Sequence, residues 1–86
     1  MWVRINDHQL ENLDEMKRVS VSQEGSSIAV IMTRKNDENV LVSTASSRDE
    51  VTFILKRIFE GIKEGLSVLD IQLVRHEFRN LTHGKR

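Results

Sequence analysis

Eighty-six residues suit one domain and leave no room for two, since a chain of this size buries only roughly 60–65% of the surface it exposes when unfolded. Apolar residues make up 38% and charged residues 30% at a formal net charge of zero, a globular composition with no bulk attraction for nucleic acid or anionic membrane. The lack of cysteine excludes disulfides and thiolate zinc sites and makes a reducing cytoplasm the expected compartment.

Residues 1 to 5 alternate, with Met1, Val3 and Ile5 on one side and Trp2 and Arg4 on the other, as in a strand with one buried face. Charge interrupts the apolar run at once, so the opening residues read as neither signal peptide nor anchor, and Ile28 to Met32 falls far short of the roughly 20 apolar residues a membrane span needs. Asn6-Asp7-His8 turns the chain, and Leu10 to Leu13 reads as a short return strand beside the turn residues Asn12 and Asp14. In Arg18-Val19-Ser20-Val21-Ser22 the valines point one way and the polar residues the other, a half-buried strand. Gln23 to Ser27 is polar, contains Gly25 and predicts a hairpin loop. Ile28-Ala29-Val30-Ile31-Met32 predicts a central strand covered to some degree on both faces, Lys35 to Glu38 a second turn, and Val40-Leu41-Val42 a further strand. Short polar loops between successive strands imply antiparallel neighbours, hence a meander.

The strongest element is a helix from about Arg48 to Glu64. Val51, Ile54, Leu55, Ile58, Phe59, Ile62 and Leu66 recur at spacings of three and four and predict one apolar stripe laid on the sheet. Ser47 with Glu50 three residues later makes a capping box, Asp49 meets the positive end of the helix dipole, and Gly65 is a natural stop.

Two periodicities compete in the last twenty residues. As a strand, Leu69, Ile71 and Leu73 share a face; as a helix opened by Ser67 with Asp70 three residues on, Ile71, Val74, Phe78 and Leu81 align. A short strand through about Leu73, paired with an open sheet edge beside residues 1 to 5, is the preferred reading. Beyond it, Arg75, Arg79, Lys85 and Arg86 against Glu77 give residues 71 to 86 a charge of +3 and leave −3 on residues 1 to 70. The expected architecture is therefore an α+β domain over residues 1 to 73, an antiparallel β-meander of four to five strands with one amphipathic helix on one face, followed by a basic C-terminal tail over 74 to 86.

Trp2-Val3-Arg4-Ile5-Asn6-Asp7, Leu10-Glu11-Asn12-Leu13-Asp14 and Glu64-Gly65-Leu66-Ser67-Val68-Leu69-Asp70 frame the strands and the single helix. In these segments the first seventy residues resemble small single-domain proteins of unknown function encoded by Gram-positive bacteria and their phages. The resemblance implies an antiparallel sheet with one helix packed on it and brings no activity; the basic end departs from the short form of the type.

No residue set points to catalysis. His8, His76 and His83 stand at no metal-ligand spacing, and no cofactor is expected. Ser43, Thr44, Ser46 and Ser47 crowd the helix entry, where capping explains them without a bound phosphate or a nucleophile. Asp14-Glu15, Asp37-Glu38 and Asp49-Glu50 fall in turns or a helix start, where solvated charge is expected. Trp2, with Arg4, lies opposite the buried face of its strand; a tryptophan covered at a sheet edge is the first expectation, and a partner surface the alternative. The favoured function is a non-enzymatic protein-protein interaction module, homodimeric through a sheet edge or the C-terminal segment. The alternative is a nucleic-acid accessory protein using Arg75, Arg79, Lys85 and Arg86 on phosphates and Phe78 as a stacking surface.

Overall fold

A computed structural model describes residues 1–83. Alternation and a tight turn produce the first hairpin, in which β1 (Trp2–Asn6) runs antiparallel to β2 (Gln9–Asn12) and the Asn6 side chain accepts the His8 N–H at 2.8 Å across the turn. Leu13–Glu15 forms one 3-10 turn, capped by the Asn12 side chain, which accepts the Asp14 N–H at 3.0 Å. The meander follows as β3 (Met16–Glu24), β4 (Ser27–Arg34) and β5 (Asn39–Ala45), each antiparallel to the next. Gly25 takes φ 59° at the first of two loop residues, as a type II′ hairpin turn requires, and Asp37 takes φ 72° in the next turn. A bulge in β5 pairs Val30 with Ser43 and Ile31 with Leu41, so the extra residue Val42 and its neighbour Ser43 both turn inward while Leu41 faces out.

The first hairpin does not join this meander. It forms a separate three-stranded sheet in the order β2-β1-β6, where β6 (Val68–Asp70) lies parallel to β1 with Val3 beside Leu69. The chain between β1 and β6 supplies the long crossover that parallel pairing needs. The strand expected beside residues 1 to 5 is present, but it stops at Asp70.

Between β5 and β6 runs α1 (Arg48–Glu64). Its first turn is held by Ser47, whose hydroxyl accepts the Glu50 N–H at 3.2 Å, while the Glu50 carboxylate reaches back to the Ser46 N–H at 2.8 Å, one residue earlier than a standard capping box. Gly65 ends it in the left-handed conformation, φ 71°, and Leu66 donates to the Gly61 carbonyl at 2.9 Å in a Schellman pattern. Ser47→Ala should lower unfolding free energy by about 1 kcal/mol, read by urea denaturation, because the Glu50 N–H then loses its partner.

The C-terminal segment corrects the sequence reading. Residues 71–73, expected as strand, and residues 74–83, expected as part of a basic tail, are helical: α2 (Ile71–His83) runs across both, so the fold has two helices and six strands among the described residues. Asp70 is the cause, since its carboxylate ends β6 and caps the helix, accepting the Gln72 N–H at 2.9 Å and the Leu73 N–H at 3.4 Å. Helical spacing then places Ile71 and Val74 in the core and half-buries Phe78, whose ring lies 5.5 Å from that of Phe53 on α1. The alternation of Leu69, Ile71 and Leu73 was accidental, for Leu73 faces solvent.

The core gathers Val3, Ile5 and Leu69 from the small sheet, Val30, Met32 and Val40 from the meander, and Val51, Ile54, Ile58, Ile71 and Val74 from the helices. Thus α1 covers the inner face of β4 and β5, while α2 wedges against β1 and α1. No helix among the described residues is long and apolar enough to cross a membrane.

Candidate functional site

The predicted apolar stripe of α1 divides into two. Val51, Ile54 and Ile58 are buried against the sheet, but Phe59 is 65% exposed, Ile62 56% and Leu66 38%, with Leu55 half-buried. At 100° per residue the six of these side chains that lie on α1 sweep an arc wider than one sheet can cover, and Leu66 lies past the Gly65 cap. The burial of all seven residues, expected from the periodicity, therefore does not occur. Leu55, Phe59 and Ile62, spaced four and three apart, form a second stripe on the flank of the helix, and Leu66, just past the Gly65 cap, extends the exposed apolar surface beyond its end.

That flank overhangs open clefts beside β3 without covering it, and β3 is an edge. Its hydrogen-bonded neighbour among the described residues is β4 alone, so one side of a nine-residue strand presents unpaired N–H and C=O groups. The inward residues of β3 are poorly covered: Val21, opposite Val30, is 45% exposed, and Gln23, opposite Ile28, is exposed and accepts from Arg48 at 2.9 Å. Two open clefts run along the seam between helix and strand. One, of about 220 Å³, is bounded by Val21, Gln23, Val51 and Leu55; the other, of about 500 Å³, by Val19, Ile62 and Leu66 together with Met1, Leu13 and Met16. The result is an apolar trough beside an open strand edge, with Lys17 and Arg18 at one end of the strand and Glu24 at the other.

Trp2 and Arg4 stand elsewhere. They project from the outer face of the small sheet, where Trp2 is 45% exposed on the central strand rather than covered at an edge, because neither helix reaches that face. Val68 and Leu10 are exposed on the same face. Arg4 donates to Asp70 at 2.6 Å and also pairs with Asp7, and the hydrogen bond with Asp70 raises its guanidinium above the ordinary arginine range. Asp70 thereby joins β1, β6 and α2.

The five residues assigned to nucleic acid are not brought together as a free basic surface. Arg75 is 23% exposed, with its Nε 3.9 Å from the buried carboxylate of Glu50; Phe78 packs on Phe53; Arg79 is exposed on α2; Lys85 and Arg86 lie outside the described residues. A third cleft, about 410 Å³, opens between Gln9, Arg34, Asn39, Gln72 and Arg75, where Arg34 is already held by Glu11 at 2.9 Å. Glu50 is the exception among the acid pairs, 2% exposed rather than solvated, because Ser46 and Arg75 face it. Ser47 caps, Ser43 donates to the Thr44 carbonyl at 2.7 Å, and among the described residues no group of three or more His, Asp or Glu is arranged to hold a metal ion.

The α1 flank escaped sequence reasoning even though its signal was present, as the width of the apolar arc. Comparison with known protein families, with characterised proteins and with solved structures finds no match to this chain.

Proposed function

We propose that the chain is a non-enzymatic interaction module that associates with a second copy of itself through the trough between α1 and the free edge of β3. The supporting observation is the second stripe of α1, in which Phe59 and Ile62 stand exposed beside an unpaired strand. Exposed aromatic and aliphatic side chains next to open backbone donors and acceptors offer both the apolar anchor and the directional bonds that strand addition uses. The alternative, nucleic-acid binding at the C-terminal end, draws less support, since Arg75 faces Glu50 and Phe78 packs on Phe53.

Sedimentation equilibrium tests the reading. The mass should rise from monomer to dimer with concentration, and Phe59→Glu should stay monomeric with an unchanged thermal midpoint. A wild-type chain that remains monomeric at millimolar concentration refutes it. Trp2, the single tryptophan, serves as an independent reporter: its water-like emission should be the same in monomer and dimer, whereas a blue shift on association would place the contact on the outer face of the small sheet instead.

A further inference from the structure

Self-association through an edge strand leaves open how the two strands align, and β3 carries enough information to fix that alignment. The two-residue loop Gly25-Ser26 makes Glu24 and Ser27 a hydrogen-bonded pair, so alternation along the ladder commits Ser22, Ser20 and Arg18 to β4. The N–H and C=O groups of Val19, Val21 and Gln23 therefore point to the free edge. A second β3 can bond to these only if odd-numbered residues face odd-numbered residues. Met1, Leu13 and Asp14 border the opening residues of the strand, which leaves its later part, Arg18 to Glu24, as the open stretch. The middle of that stretch is Val21.

We infer that two copies pair their β3 strands antiparallel about a two-fold axis through Val21, which sets Arg18 of each copy opposite Glu24 of the other. This inference rests on the self-association proposed above and specifies its register. With Val21 at the axis, Val19 faces Gln23 in the partner and Val21 faces its own copy on the inner side of the sheet. Arg18 and Glu24 then meet in the pairs that do not exchange hydrogen bonds, where side chains approach most closely. Both are exposed in the monomer, and neither forms an ion pair among the described residues. A strand that is basic at one end and acidic at the other is complementary to itself only when antiparallel. Centring the axis one residue earlier, on Ser20, also satisfies the backbone but sets Arg18 against Ser22 and Glu24 against Met16, so the charges choose Val21. The two meanders then form one antiparallel sheet of six strands with both α1 helices on the same face, and the exposed flanks carrying Phe59 and Ile62 approach each other across the axis.

Charge reversal at these two sites reads the register directly. Arg18→Glu and Glu24→Arg should each weaken the dimer roughly tenfold, because two like-charged pairs replace two opposite ones. The double variant should return to within about threefold of the wild type. The sharper result comes from mixing: each single variant is mostly monomeric alone, yet an equimolar mixture of the two associates, since in the mixed pair every reversed side chain again faces its opposite charge. Sedimentation of wild type, both single variants, the double variant and the mixture, with circular dichroism as the folding check, provides the measurement. A dimeric wild type whose affinity is unmoved by either reversal, or single variants that do not recover on mixing, overturns the register while self-association stands. A wild type that stays monomeric overturns both and leaves the β3 edge to a strand from another protein.

Discussion

A chain ended after Leu73 does not fold: its circular dichroism should lack a cooperative thermal transition, where the full chain shows one. The reason lies in what α2 buries. Val74 is 1% exposed, and a fully buried side chain of this kind contributes about 1.5–3 kcal/mol. The Phe53–Phe78 contact adds about 0.5–1.5 kcal/mol beyond burial, and Ile71, itself in the core, loses the helix that holds it there. Glu50, almost fully buried, also loses Arg75, the one cation within reach of its carboxylate among the described residues. Against a total stability of roughly 0.05–0.15 kcal/mol per residue, these losses consume most or all of the margin of so small a domain. Val74→Asp should have the same effect in the intact chain, because it places an unpaired charge among Val3, Ile71 and their neighbours. A truncated chain that keeps a sharp transition near the full-length midpoint would show that α2 rests on the fold without supporting it.

The strands, the main helix and its caps were legible in the sequence because local rules decided them. Alternation placed Val3 and Ile5 inside, Gly25 stood where a two-residue loop needs positive φ, and Ser47 and Gly65 set the limits of α1. What could not be read locally was which element lies next to which. One sheet was expected and two are present, because whether β1 joins β3 or β6 depends on contacts across the whole chain. The segment from Ile71 onward satisfied both a period of two and a helical period, and a single carboxylate, Asp70, decided between them by capping the helix. The trough is the same kind of case. Seven apolar residues on and just past α1 gave the helix and its inner face, but which of them the sheet would cover depended on where α1 crosses it, and α1 lies over β4 and β5 rather than over β3.

Two alanine substitutions five residues apart on α1 should separate what the helix does for the fold from what it does for association. Ile54 is fully buried at the centre of the core, so Ile54→Ala removes buried methyl groups and leaves a cavity that rigid neighbours on two sheets cannot fill. The expected cost is about 2–5 kcal/mol, a large share of the stability of the domain, read as a shifted urea midpoint with an unchanged slope. Phe59 is mostly in water already, and at that helix position alanine has the better propensity, so Phe59→Ala should move the monomer by less than about 1 kcal/mol. Its effect should appear instead in the dimer, whose dissociation constant rises, since the aromatic ring is the largest apolar group on the exposed flank. The two outcomes exchange places if the flank is covered within the monomer. A large loss of monomer stability from Phe59→Ala, measured well below the dissociation constant, would mean that the second stripe belongs to the core and offers nothing to a partner.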